Sequence, residues 1–236
     1  ETTEPGPAVS VAGGSSNVTI KATVSDNVVS LEEPSDEVLE ELISGTLQTG
    51  RPLIIKLGAV GEKPETVLVP SGMLSRLAES GVNGLNIVMP DGKGAVFDST
   101  ALETLASAAF GDLRLTVRDM APDQLTPEQR SLVGNAPVIS LEVRVGDKKV
   151  HDFGGGKATI SIPAGDKPLA HPVIWRMTVD SEGNVSLEAI ECRYNSETKC
   201  YKFKTGTFSE YVLADYPFAD TPDSAWYYED VVYAYV

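Results

Sequence analysis

The sequence predicts an α+β fold, rich in β-strand, in which an N-terminal sheet with three short covering helices precedes a β-sandwich-like region. Three observations predict it. Between residues 17 and 111 a short β-type run, a polar or proline turn and an amphipathic helix recur three times. From 137 to 214 the apolar residues recur mostly at a period of two, between Gly- and Pro-rich turns. The 236 residues are 42% hydrophobic and 22% charged, enough to build one large core or two small ones.

In chain order, residues 1–16 hold Pro5, Gly6 and Pro7 and then Gly13, Gly14, Ser15 and Ser16, and read as a flexible linker. Residues 17–136 read as an α+β subdomain of strand–turn–helix units. In the first unit Val28, Val29 and Leu31 lead to Ser35 as cap, with Val38, Leu39, Leu42 and Ile43 on one helix face. In the second, the strand at 67–69 meets Ser71 as cap, with Met73, Leu74, Leu77 and Ala78 on one face and Gly81 as stop. In the third, 95–97 leads through Asp98 and Ser99 to Leu102, Leu105, Ala106 and Ala109, ending at Gly111. The spacing from Ser35 to Ser71 differs from that between Ser71 and Ser99, which argues against a solenoid. The run 52–57 is nearly all apolar and reads as a central strand. Residues 85–89 and 95–97 form a hairpin about Asp91 and Gly92, and Leu113, Leu115 and Val117 alternate as a half-buried strand. Residues 121–136 connect, with a helix start at Thr126 and Pro127.

Residues 137–214 read as a β-sandwich-like subdomain. Ile139, Leu141, Val143 and Val145 alternate with polar residues, a turn follows at 146–148, and strands are expected at 150–153 and 157–162. The runs 173–179 and 185–190 flank a turn from Asp180 to Asn184, and strands at 200–204 and 208–213 complete the set.

A net charge of −15, from 19 basic and 34 acidic residues, argues against nucleic acid and against anionic membrane surfaces as partners. No apolar run is long enough to span a bilayer. The chain starts at Glu1, without Met or a leader, and reads as a mature form or an excised fragment. Cys192 and Cys200 flank a turn-like stretch at 195–198. Across a hairpin they could form one disulfide, which suits an extracellular setting; two reduced thiols account for the pattern equally. Two cysteines do not make a structural zinc site.

No catalytic constellation emerges. Gly154, Gly155 and Gly156 lead into a strand, whereas phosphate and dinucleotide loops lead into helices, so the cluster reads as a turn or bulge. A serine nucleophile needs a histidine beside it, and His151 and His171 are the only two, with no Gly-x-Ser-x-Gly elbow. Thr205 to Ser209 is distantly similar to the sites of self-cleaving β-domains, but Thr207 stands where those domains carry the histidine base, so no self-cleavage is expected. Asp180, Glu182 and Asn184 lack the twelve-residue pattern of a calcium loop. No metal and no cofactor is expected. Asn17, Val18 and Thr19 match a glycosylation sequon. Trp175 falls mid-strand and reads as core; an exposed Trp175 could stack on a sugar ring.

Two resemblances bear on function. The stretch Val150, Asp152, Phe153, Gly154, Gly155, Gly156, Ala158, Thr159, Ile160, Ser161, Ile162 and Pro163, with Phe208, Ser209, Tyr211, Val212 and Leu213 after it, resembles a β-rich module of bacterial surface proteins. Pro70, Ser71, Leu74 and the run 85–98 are similar to the helical half of that module, which stands just ahead of S-layer homology (SLH) repeats. Phe218, Asp220, Trp226, Tyr227 and the Val231 to Tyr235 helix resemble the first half of such a repeat, so 215–236 reads as a truncated repeat start. The SLH family anchors surface proteins to cell-wall polysaccharide. The resemblance implies a bacterial cell-surface, wall-associated location and a polysaccharide partner reached through the downstream SLH region, since the repeat's second half is absent here. Phe218, Asp220 and Trp226 are the binding residues it implies. The expected role is a non-enzymatic spacer or structural module; the alternative is a carbohydrate- or protein-binding adhesin module exposing Trp175 or several tyrosines.

Overall fold

The computed structural model describes residues 8–58, 64–166 and 168–215. The repeat-like run, with Phe218, Asp220 and Trp226, therefore lies outside the described residues. The chain is a mixed α/β fold with several helices and a large mixed sheet. It divides into two compact units, Glu1–Arg118 with Leu141–Ile162 and Thr205–Phe208, and Asp119–Ser140 with Pro163–Lys204 and Ser209–Val236.

The first unit opens with β1 (Ala8–Gly13), β2 (Ser16–Ser25), β3 (Val28–Leu31) and α1 (Asp36–Thr49). There follow β4 (Leu53–Leu57), β5 (Thr66–Val69), α2 (Ser71–Glu79), β6 (Gly84–Val88), β7 (Gly94–Asp98), α3 (Ser99–Ala108) and β8 (Leu113–Met120). After α4 (Pro127–Val133), which belongs to the second unit, come β9 (Val138–Val145), β10 (Lys148–Lys149) and β11 (Ala158–Pro163). Within this unit the strands lie in the order β9-β8-β5-β3-β2-β1-β4-β6-β7-β11. β3 with β5 and β4 with β6 are parallel pairs, so the two crossovers interleave, one carrying α1 and the other α2. The ten-residue β2 serves two neighbours: up to Lys21 it pairs with β1, and from Ala22 it pairs with β3.

Residues 8–16 are not a linker. Val9 and Val11 are 1% and 0% exposed, and β1 is paired on both sides, with β2 and with β4. The Gly13–Gly14 turn lies against α1 so closely that a Cβ on Gly45 would sit 2.1 Å from the Gly13 carbonyl oxygen, and one on Gly14 would sit 2.1 Å from that of Gly45. Small residues here serve contact between backbones, which composition alone cannot separate from flexibility.

The helices form where their patterns place them, with changed caps. Ser35 caps α1 through the Val38 N–H, and Gly50, at φ 64°, ends it by donating to the Thr46 carbonyl. Ser71 is not a cap: it is the first residue of α2, and its N–H is met by the Asp112 carboxylate at 3.0 Å. In α3 the cap is Asp98 rather than Ser99, its Oδ1 accepting from the Ala101 N–H at 2.8 Å. The expected strand at 150–153 joins no ladder. It is drawn inward by Phe153, whose ring meets Phe97 and Phe208 edge-on at 5.7 and 5.1 Å.

The second unit holds α4 and the strands β12 (Pro172–Val179), β13 (Val185–Ile190), β14 (Cys192–Asn195), β15 (Cys200–Thr205) and β16 (Glu210–Asp215). β12 pairs with β13 on one side and β16 on the other, and β16 continues onto the start of β9. Thr126 and Gln129 make a reciprocal capping box on α4. Leu125 and Val133 pack with Val138, Met177 and Val212, and half-buried Trp175 packs against that cluster, as a core position requires.

A methyl at position 45 must displace the β1–β2 turn, a cost that exceeds the helix-propensity gain of about 1 kcal/mol. Gly45→Ala should therefore lose about 2 kcal/mol and melt about 4–8 °C lower. An unchanged or raised melting temperature would show that the turn does not depend on the contact.

Candidate functional site

The glycine cluster is a fastening. Gly154 and Gly155 turn the chain at φ 63° and 87°, and the Gly154 N–H donates to Asp152 Oδ1 at 2.8 Å. Thr104 of α3 donates to the Phe153 carbonyl at 2.9 Å. Asp98 holds the rest: while Oδ1 caps α3, Oδ2 accepts from the Lys157 N–H at 2.8 Å. A Cβ at Gly156 would lie 2.3 Å from the Ala101 nitrogen, so the chain itself fills the space an anion would take at this helix start.

The start of α2 is closed in the same way. Asp112 takes the Ser71 N–H, and the Glu33 carboxylate lies against Gly72, accepting from the N–H groups of Gly72 and Met73. Burial, and then the nearby charges of Asp112 and Asp36, push the Glu33 carboxyl above its ordinary value despite those two hydrogen bonds. On β9, burial also disfavours the charge of Glu142, but Lys149 and Arg144 outweigh it and hold that carboxyl below the usual range.

Among the described residues the sequence candidates His151 and His171 lie in different units. His151 is exposed in the first unit; His171 is half-buried in the second, its backbone N–H donating to Asp215 Oδ1 at 3.0 Å. The Ser209 hydroxyl donates to the Met177 carbonyl at 2.7 Å, and the Thr207 carbonyl accepts from the Thr205 hydroxyl at 2.6 Å. Asp180 binds the turn it opens. Hydrogen bonds from the Asn184 side chain and from the backbone of Asn184, Glu182 and Gly183 hold its carboxyl below the usual range. Among the described residues no three His, Cys, Asp or Glu side chains gather as metal ligands would.

Cys192 and Cys200 are both free. The β14–β15 register sets Cys192 opposite Phe203 and Cys200 opposite Asn195. Phe203 and Cys200 are an odd number of residues apart on one strand, so the two thiols point to opposite faces. They also stand about 10 Å apart along the hairpin, beyond the span of a disulfide. The disulfide expectation is therefore corrected: the sequence showed two cysteines flanking a turn but not the register. Burial pushes the Cys192 thiol up to about 12.

An open groove of about 630 Å³ runs between α1 and α2, lined by Glu40, Ile43, Leu47, Gln48, Arg76 and Glu79. Arg76 is engaged by Asp36 at 2.9 Å and by Glu40 at 3.4 Å, and Leu47 is half exposed. Sequence reading missed the backbone-binding roles of Glu33 and Asp112, whose one signal is an acid facing a helix start far away in the chain. No family model matches this sequence, and no curated protein matches it.

Two outcomes follow from these geometries. Denaturing alkylation without reductant should add two equivalents of iodoacetamide per chain, and native alkylation should leave Cys192 unmodified near neutral pH; zero uptake after denaturation would restore the disulfide. Glu33 bears on pH dependence. Above its ordinary value of 4.5 the folded chain holds this proton more tightly than the unfolded chain does, so stability falls as pH rises through that window. Glu33→Gln removes the ionisation, so its stability relative to wild type should rise as pH increases above the ordinary value of 4.5, read by urea denaturation. A pH-independent difference would contradict the assignment.

Proposed function

We propose that this chain is a non-enzymatic, extracellular structural module of a wall-anchored bacterial surface protein, placed ahead of the repeats that anchor it. In this reading the 137–214 region is the sandwich-like part of the body, and cell-wall polysaccharide is reached through the SLH region that the run at 215–236 begins. One observation supports the reading above the others. Each conspicuous polar motif is engaged in holding backbone: Asp98 and Gly154–156 at α3, Glu33 and Asp112 at α2, Asp180 in its turn. Carboxylates that hold the chain's own N–H groups in fixed geometry are accounted for by structural roles. The resemblance of 150–163 and 208–213 to modules preceding SLH repeats supplies the setting.

A module swap tests this. In the surface protein carrying this chain, residues 8–215 would be exchanged for an unrelated folded domain of similar size. Cell-surface display and wall retention, read by antibody labelling of intact cells, should be unchanged, whereas removing everything from residue 216 onward should release the protein. Loss of retention on the swap, or retention after the deletion, would overturn the spacer reading.

A further inference from the structure

The first unit's sheet has one face turned to its core and one turned outward, and the outward face has an unusual charge. Register places Thr19, Ser10, Lys56, Val88, Gly94 and Ser161 in one outward row across β2, β1, β4, β6, β7 and β11. The adjacent row is Asn17, Ala12, Ile54, Asn86, Val96 and Thr159. All of these side chains are exposed or half exposed, Gly94 having none. The same face continues on β2 through Lys21 and Thr23 and then across β3 and β5 to Arg114 of β8, with Arg118 further along β8.

Acidic residues outnumber basic ones 34 to 19 in this chain. Yet on β1 to β8 and β11 the exposed or half-exposed charged side chains are Lys21, Lys56, Arg114 and Arg118, against Asp98 at the end of β7 and Asp119 near the end of β8, and Glu32, just past β3, lies across from Lys21. Both carboxylate oxygens of Asp98 are tied to backbone N–H groups. None of the four bases joins an ion pair among the described residues, whereas Arg76, Arg144, Lys149, Arg176 and Arg193 all do. The face thus carries more base than acid, the reverse of the chain as a whole.

We propose that this face binds an extended acidic glycan, a polysaccharide carrying widely spaced carboxylate or phosphate groups. Three features select that occupant. Lys21 and Lys56 lie two strands and one outward position apart, about 12 Å, which suits a polymer whose charges are separated by sugar rings and not one with a phosphate every few ångströms. Thr19, Ser10, Asn17, Asn86, Thr159 and Ser161 offer hydroxyls and amides, the partners of sugar hydroxyls, interleaved with Ala12, Ile54, Val88 and Val96; Ser10 donates to Asn17 Oδ1 at 2.8 Å, which leaves the Asn17 amide N–H groups to face outward. No aromatic side chain points outward on these strands, so the base stacking that single-stranded nucleic acids use is missing.

Affinity electrophoresis of the full 236-residue chain through gels containing polygalacturonate, dextran or no polymer tests the proposal, with single-stranded DNA as a further arm. Retardation by polygalacturonate is expected, falling as salt rises, with none by dextran. The double variant Lys21→Glu/Lys56→Glu should weaken it about tenfold or more. Arg130→Glu, an exposed base of α4 in the second unit, should change it less than about twofold per charge reversed. Thermal melts establish that both variants are folded, as exposed substitutions allow. The proposal fails if wild type is not retarded, if Arg130→Glu weakens binding as much per charge reversed as the double variant does, or if DNA binds as tightly as polygalacturonate.

Discussion

The contact on which the first unit depends is the approach of the β1–β2 turn to α1 through Gly13, Gly14 and Gly45. β1 lies between β2 and β4 and bridges them in the sheet order. On its β2 side lie β3, β5 and β8; on its β4 side lie β6, β7 and β11. Seating the turn on the helix thus fixes the strand that joins two halves of the sheet. Its own buried side chains, Val9 and Val11, are too few to do this alone. The buried Thr46 hydroxyl, bonded to the Leu42 carbonyl at 2.7 Å, borders the same contact, where a Cβ on Gly13 would come within 2.7 Å of it.

A second constraint acts through the acids. Asp98, Asp112 and Glu33 sit at the starts of helices, where backbone N–H groups have no partner within the helix and the dipole favours negative charge. Asp180 does the same for a hairpin. These four carboxylates thus sit where the chain turns or a helix starts, while Glu142 within β9 pairs instead with Lys149 and Arg144.

Much of this architecture was legible. The helix periodicity of Leu39, Leu42 and Ile43, of Met73, Leu74 and Leu77, and of Leu102 and Leu105 marked α1, α2 and α3, whose buried residues these are. The alternation of 139–145 and the turn at 180–184 likewise marked β9 and the β12–β13 hairpin. What was not legible depends on partners remote in sequence. Residues 8–13 lack strong strand composition and are strand because β2 and β4 flank them. Residues 150–153 have strand composition and no ladder, because Phe153 joins Phe97 and Phe208. The thiol geometry is set by register, which a hairpin's length alone does not give. The sheet face was hidden most completely, since Lys21, Lys56 and Arg114 come together only after two interleaved parallel crossovers fix which residues face outward.

A structural module and a glycan-contacting face are compatible because they ask different things of the same sheet. The core face supplies stiffness through buried residues such as Leu53, Ile55, Leu85 and Ile87, each 0% exposed. The outward face contributes little to stability, so its side chains are free to vary with what lies beside the protein. Weak contacts spaced along a polymer add up when many modules are displayed together, so individual sites need not be tight. Sparse bases also suit this arrangement kinetically. Lone lysines in solvent at physiological salt attract over about 8 Å, far enough to align a neighbouring polyanion and too little to trap it. Bases that join no ion pair among the described residues, and acids bound into the turns, are what the proposed contact with an acidic polymer asks of this sheet.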